Sequence, residues 1–348
     1  MVDGKRIPIQ NIYYMLAYAY QTLHLSEYQP LSTEQFDNVT ELYAAILAIG
    51  IPVLVRGGLM KEYQTVSNQS LILRGKVDFS ASIKQNALVN QQLVVNYDEF
   101  LEDHQLNQII KATLVYLHRH QQVSKKHQRQ LLSYLPYFAK VADVKLSLAL
   151  WKNRQKHRQN LRYEFIVEIC RFVYEALLLS TNNGKKRQQH FQDDQRLASL
   201  YEKFIFAFYK RETNFGVLRP QIKWATDNDF TEALPIMQTD LVLETAGKVL
   251  IVDTKFYSQN LLSRFENSPL KQRSNNLYQI FAYVNNWPAK AGVTVGGMLL
   301  YARTQAAMQP NHRYEILGTS IMVTSLDLMQ SFAGIKRDLL ALANNYFA

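Results

Sequence analysis

Apolar residues recur along this chain with two different periods, and the changes of period outline two regions. IPIQNIYYMLAYAYQTLHL begins irregularly at Pro8 and then sets Ile12, Met15, Leu16 and Ala19 at helical spacing. A second helical pattern runs from about 33 to 49. Short segments that read as extended follow: IPVLV, the Arg56-Gly57-Gly58 turn, LMKEYQTVS and SLILRGKVDFSASI. They predict a small β-rich unit with Gly57-Gly58 and Gly75 at turn or bulge positions. Helical period returns over 105–121, QLNQIIKATLVYLHRHQ.

Beyond residue 160 the order is more regular. The pattern predicts a helix near 162–179, a polar loop over STNNGKKRQQHFQDDQR, a helix over 196–212 and strands over 216–225, 236–244 and 248–257. A polar segment over 258–273 leads to a helix over 274–287, strands over 293–302 and 314–324, and a final helix from about 327 to 345. Helix, three strands, helix, strand is an α/β core. WKNRQKHRQNLR, Trp151 to Arg162, carries Lys152, Arg154, Lys156, Arg158 and Arg162 with no acid, and reads as a connector, either a solvated linker or a segment touching phosphates. The expected organisation is an α+β unit over 1–160, mixed helical and β-rich, followed by an α/β unit over 161–348.

Composition narrows the function classes. Apolar residues make up 47%, which excludes a disordered chain. The net charge of +10 is carried by both halves rather than by a tail, and fits a polyanionic partner. The single cysteine, Cys170, excludes a disulfide framework and sits in a helical pattern as a small buried residue. Pro8, Gln10 and Asn11 interrupt any signal-peptide run, and no stretch reaches the ~20 apolar residues of a membrane span. A soluble, cytoplasmic setting without a membrane is the expectation. No G-x-x-x-x-G-K-[ST] occurs, so the chain is not expected to bind GTP through a P-loop. His118, His120 and His127 lie among Lys and Arg and read as a solvated helix end rather than a metal cluster.

The chemistry gathers around KVLIVDTKFY, residues 248–257. Four apolar residues predict a buried strand, yet it continues into Asp253 and Lys255, which project from one face. Buried charge is costly unless paired or metal-bound, so the two are a structural ion pair or part of an active site. Asp240 lies on the preceding strand, joined through Thr245-Ala246-Gly247 in a hairpin that lets Asp240 and Asp253 converge. Two such carboxylates suit Mg²⁺, with the Thr254 carbonyl as a further ligand. Lys255 is placed to orient or deprotonate a water, or to offset charge on a phosphate. One helix later Gln279 and Tyr283, four apart, share a face and can reach the same site.

Asp240, then Asp253-Thr254-Lys255, then Gln279 and Tyr283, in this order, resemble the PD-(D/E)xK nuclease core, in the subset with a Gln-x-x-x-Tyr helix. The proline that usually precedes the first acid is absent: Gln238-Thr239 stand there, with Pro235 further upstream. IPIQNIYYMLAYAY, LRGKVDF, LNQIIKATL and IVDTKFY together resemble the McrC family, nuclease subunits of McrBC modification-dependent restriction systems, over essentially the whole chain. The resemblance implies an endonuclease domain at 161–348, with metal on Asp240 and Asp253, catalysis on Lys255, and support from Gln279 and Tyr283. It implies an N-terminal stalk at 1–160 that docks into the pore of a hexameric AAA+ GTPase of the McrB type and stimulates it, GTP being bound by that partner. It also implies cutting of double-stranded DNA bearing modified cytosine; pairing of two nuclease domains stays open. Glu202 is either a metal-supporting acid, as in related nucleases, or a solvated one beside Lys203. Arg56-Gly57-Gly58-Leu59 is a hairpin turn or, by the resemblance, part of a loop that offers Arg56 or Lys61 to the GTPase. Two other functions remain open: an inactive basic adaptor that regulates an NTPase, and a PD-(D/E)xK nuclease of DNA repair.

Overall fold

A computed structural model of the chain describes residues 7–22, 28, 30–31, 34–152, 161–181, 186–227, 232–263, 269–288 and 290–348. Its contacts separate two units, Met1–Gln35 with Asn182–Ala348, and Phe36–Thr181. This grouping differs from the expected 1–160 and 161–348 at both ends. Helix α1 (Ile9–Ala19) packs on the long helix that opens the second half, while the helix over Leu161–Thr181 packs within the central unit. Of the expected connector Trp151–Arg162, residues 153–160 lie outside the described residues.

The central unit is built on α2 (Val39–Arg56), whose buried positions run nearly all round it. Asn38 caps its start by accepting from Glu41 N, and Gly57 and Gly58 end it, Gly58 at φ +85°. The predicted strand IPVLV is instead its last turns, with Pro52 inside the helix. A proline there deprives the carbonyl four residues earlier of its donor. That carbonyl, on Ala48, receives the Tyr134 hydroxyl at 2.9 Å, so the helix continues. By length and composition α2 resembles a membrane span, yet more than half of it is buried within the fold.

After α2 come β1 (Glu62–Ser70), β2 (Lys76–Val77), α3 (Phe79–Lys84) and β3 (Leu93–Leu101), with sheet order β1-β3-β2. Gly75, at φ +65°, turns the chain where a Cβ would collide with the Asn96 carbonyl. α4 (Gln105–Leu117), α5 (Lys125–Tyr134), α6 (Leu148–Lys152) and α7 (Leu161–Thr181) complete the unit. His127, at the start of α5, is buried and bonded to Glu41 at 2.7 Å.

The other unit joins α1 to α8 (Lys186–Glu212), where Tyr18 meets the rings of Phe204 and Phe208. The polar run expected to be a loop supplies the first turns of α8 from Lys186 on; it holds no proline or glycine after Gly184, and Gln and Arg are good helix formers. Then follow β4 (Gly216–Leu218), β5 (Gln221–Ile222), β6 (Met237–Gln238), β7 (Leu241–Glu244), β8 (Lys248–Lys255), α9 (Ser274–Asn285), β9 (Thr294–Ala302), β10 (His312–Ile316), β11 (Thr319–Leu326) and α10 (Phe332–Phe347). Six strands form one sheet in the order β10-β11-β9-β8-β7-β4, with β8, β9 and β11 parallel and the flanking pairs antiparallel. The single strand predicted over 314–324 is a hairpin, turning at Leu317 and Gly318 with φ of +51° and +77°. Such a turn ordinarily uses Asn-Gly, and Leu317 hides the signal.

Consecutive glycines on β9 seat helices on opposite faces of this sheet. A Cβ on Gly297 would meet Ile280 of α9 at 2.7 Å, and one on Gly296 would meet Tyr346 of α10 at 2.7 Å. Val249 and Ile251 of β8 join Ile280 and Val284 in the core under α9. Alternation along β8 then carries Asp253 and Lys255 onto that same side.

Candidate active site

Asp240 owes its position to a break shared by two strands. The segments expected as strands 216–225 and 236–244 are each interrupted, at Arg219-Pro220 and at Thr239-Asp240, where both leave the main sheet to pair with each other as β5 and β6. Thr239, fully buried, holds the two breaks together by donating to the Pro220 carbonyl from Oγ1 at 2.8 Å. Proline cannot donate to a ladder, which is why the interruption falls there. Asp240 emerges from the break just before β7, opposite the end of β8. Its Oδ2 accepts from both the backbone N–H and the hydroxyl of Thr254, each at 2.8 Å.

Asp253 is 1% exposed, and Lys255 Nζ stands 2.6 Å from its Oδ2 as an ion pair without an aligned hydrogen bond. The ammonium also donates to Gln279 Oε1 at 2.9 Å. Gln279 Nε2 donates to the Tyr283 hydroxyl at 2.8 Å, and that hydroxyl donates to the Gln238 carbonyl at 3.0 Å. Each link has one possible direction, because an ammonium only donates and therefore fixes which end of the Gln279 amide faces it. The series ties the lysine, through α9, back to Gln238, two residues before Asp240.

Burial pushes the Asp253 carboxyl up to about 7; the nearby Asp240 charge adds to this and Lys255 offsets part of it. Burial alone would lower Lys255, but Asp253 and Asp240 hold its ammonium above the usual range, so the pair keeps its proton on the lysine. Burial also raises the Tyr283 phenol, keeping it a donor.

The donor set is one a hard divalent cation accepts. A buried carboxylate oxygen without an aligned hydrogen bond, a second carboxylate pinned by one oxygen only, and the adjacent carbonyl of Thr254 are all oxygen donors. Among the described residues no group of three or more His, Cys, Asp or Glu side chains gathers, here or elsewhere. An ion held by two carboxylates must complete its shell with water, carbonyl or substrate oxygens, which is the habit of Mg²⁺.

Asp240, Asp253, Thr254, Lys255, Gln279 and Tyr283 therefore form one connected set. Gln279 and Tyr283 act on Lys255 and the Gln238 carbonyl, a bracing not evident from their spacing. Glu202 joins none of these bonds; it is ion-paired with Arg219. Sequence reasoning missed the Thr254 side chain, whose hydroxyl holds Asp240.

A family model described as the McrBC 5-methylcytosine restriction system component matches residues 5–302. A relative from Escherichia coli strain K12, the type IV methyl-directed restriction enzyme EcoKMcrBC, is 28% identical over 345 residues and covers 98% of each chain. Among solved structures, a chain of the half-complex from the tetradecameric assembly of Thermococcus gammatolerans McrB AAA+ hexamers with bound McrC superposes with a TM-score of 0.51 at 18% identity, over 97% of this chain and 76% of that one. At that identity the likeness is one of fold.

Proposed function

The chain belongs to the McrBC 5-methylcytosine restriction system component family, and on that premise we propose that it is the DNA-cutting subunit of a GTP-dependent restriction complex. In this reading it is a Mg²⁺-dependent endonuclease of the PD-(D/E)xK type, acting on double-stranded DNA with modified cytosine beside a hexameric AAA+ GTPase that binds the GTP. The observation that carries the proposal is the meeting of Asp240, Asp253 and Lys255 at the end of β8, with an Asp253 oxygen that has no aligned hydrogen bond. Asp240, Asp253 and the Thr254 carbonyl would hold the metal, which when bound supplies Lewis-acid polarisation of a phosphate oxygen and a more acidic water. Thr254 keeps Asp240 from rotating. Lys255 places a positive charge where negative charge builds on the phosphate, and Gln279 and Tyr283 keep it there. The direct test is cleavage of a 5-methylcytosine plasmid by the full chain with its partner GTPase, GTP and Mg²⁺. Absence of cleavage under those conditions would favour the inactive-adaptor function.

The bracing role has its own signature. Gln279→Ala is expected to lower kcat by up to ~100-fold, the cost of a misplaced catalytic group, with KM for DNA nearly unchanged. An unaltered kcat in single-turnover assays would remove Gln279 from the machinery.

Metal uptake should follow the Asp253 proton. A buried carboxyl raised to about 7 contributes stability to the metal-free protein in acid, and that contribution is lost as pH rises through the raised value. Mg²⁺ must displace the same proton. Its stabilising effect is therefore expected to be small at pH 6 and to reach a few degrees of Tm at pH 8, read by thermal denaturation with and without Mg²⁺ at each pH. An increment independent of pH would place the metal elsewhere.

The partner-docking part is assigned to the central unit. The segment between β1 and β2 exposes Leu71, Ile72 and Leu73 at 70%, 62% and 65%, and α3 beside it exposes Phe79 and Ile83. Contiguous exposed apolar side chains mark protein interfaces. Arg56 and Lys61 are engaged within the unit, Arg56 with the Pro52 carbonyl at 3.3 Å and Lys61 with Glu102 at 3.4 Å. The docking element in this proposal is thus the neighbouring apolar tip.

A further inference from the structure

The chain keeps presenting polar groups to α9 beyond Lys255. Two residues on, the Tyr257 hydroxyl donates to Asn276 Oδ1 at 3.2 Å, much as Lys255 donates to Gln279, while Phe256 between them is buried beside the Tyr201 ring of α8. Asn276 in turn donates to the hydroxyl of Tyr301, buried on β9, at 2.8 Å. Three residues before Asn276, Arg273 lays its guanidinium over the Tyr257 ring, with Cζ 4.2 Å from the centroid, and donates from Nη2 to the Gln259 carbonyl at 2.8 Å. Arg273, Asn276, Gln279 and Tyr283 are spaced so that they follow one face from the start of α9 along the end of β8.

Three features of Arg273 point outward to a ligand. Among the described residues its guanidinium has no carboxylate partner and donates from Nη2 to the Gln259 carbonyl, while its buried Nε is left without a hydrogen bond. The aromatic face and the carbonyl hold the planar fork in one orientation, which reduces the entropy lost when it grips an anion. It is also the residue at the N-terminal cap of α9, and its side chain caps nothing. A cation at the positive end of a helix is electrostatically unfavourable in the unliganded protein, so α9 gains no charge stabilisation from it.

We propose that Arg273 is a DNA-phosphate-binding residue of the nuclease site and fixes the substrate strand at a phosphate near the one that is cut. The inference rests on the nuclease function above. Gln279 lies six residues beyond Arg273, about 9 Å along α9. The contacted phosphate therefore lies on the same strand, close to the one beside Lys255. A planar guanidinium suits bidentate contact with phosphate oxygens.

The test uses the full chain with its partner GTPase and a 5-methylcytosine duplex. Binding is measured in an Asp253→Asn background, where DNA is not cut, across roughly 50–200 mM salt. Arg273→Gln retains a side chain able to donate to the Gln259 carbonyl but has no charge. It is expected to bind about tenfold more weakly, with the dependence of log Kd on log salt shallower by about one. In the otherwise wild-type chain it should raise KM with kcat nearly unchanged. Arg273→Lys keeps the charge without the stacked plane and should keep the parent slope. If Arg273→Gln binds with the parent slope, or Arg273→Lys loses it, the inference is overturned and Arg273 merely fastens the 258–273 segment. A wild-type chain that cuts nothing sinks the nuclease function instead, whatever the slopes show.

Discussion

Asp253→Asn is expected to leave a folded chain that assembles with its partner and cuts DNA at least ~1,000-fold more slowly, about 4 kcal/mol of lost transition-state stabilisation. Asparagine has the shape of aspartate, but its amide is a poor substitute for a carboxylate as a metal ligand. The fold tolerates it because two effects oppose each other. Removing a carboxyl that burial has pushed up to about 7 relieves a cost at neutral pH, while Lys255 loses the partner at 2.6 Å. Lys255 retains Gln279 Oε1 and the nearby Asp240 charge. The metal-free Tm should accordingly move by no more than a few degrees, and the Mg²⁺ increment should vanish. Cleavage, Tm and co-elution with the partner are read on the same preparation. An unfolded Asp253→Asn chain would identify the pair as a structural ion pair.

The second large effect is expected at the other unit. Replacing Ile72 and Leu73 together by Asp should abolish stimulation of the partner GTPase and the GTP-dependent cleavage that follows. Each of these side chains, once buried in an interface, contributes about 1.5–3 kcal/mol, and a carboxylate in its place must also be desolvated without a partner. The sum exceeds what a typical interface can lose without dissociating. Both residues are more than 60% exposed in the chain by itself, so its own stability should be unaffected. The Mg²⁺-dependent rise in Tm should persist, separating loss of docking from loss of the metal site. Arg56→Ala with Lys61→Ala, which touch groups within their own unit, should have the smaller effect. Undiminished stimulation by the double-Asp variant would move the docking surface elsewhere.

The candidate site was legible because it lies on the most regular part of the chain. β8 is a continuous apolar run, its alternation is strict, and the short Thr245–Gly247 turn leaves one antiparallel pairing for Asp240. Gln279 and Tyr283 were legible as a pair on one face of a helix, but not as a brace, because side-chain hydrogen bonds depend on rotamers that periodicity does not encode. Where reading failed, a tertiary partner had overridden a local rule. Pro52 reads as the end of a helix until Tyr134 supplies the missing donor. Arg219-Pro220 and Thr239-Asp240 read as interior strand positions until their simultaneous break is seen. Leu317 in a left-handed turn gave no sign of a hairpin, and β3, rich in charged residues at its end, passed unnoticed between helices. The division into units was hardest to read, because α1 is separated in sequence from the helix it packs against.

Whether Asp240 and Asp253 jointly hold a divalent ion is read from anomalous diffraction by crystals of the full chain grown with Mn²⁺ in place of Mg²⁺. A single strong anomalous peak is expected in bonding contact with a carboxylate oxygen of each residue, absent from Asp253→Asn crystals. A peak that touches neither carboxylate, or one that survives the Asp253→Asn substitution, would show that the two acids do not share an ion.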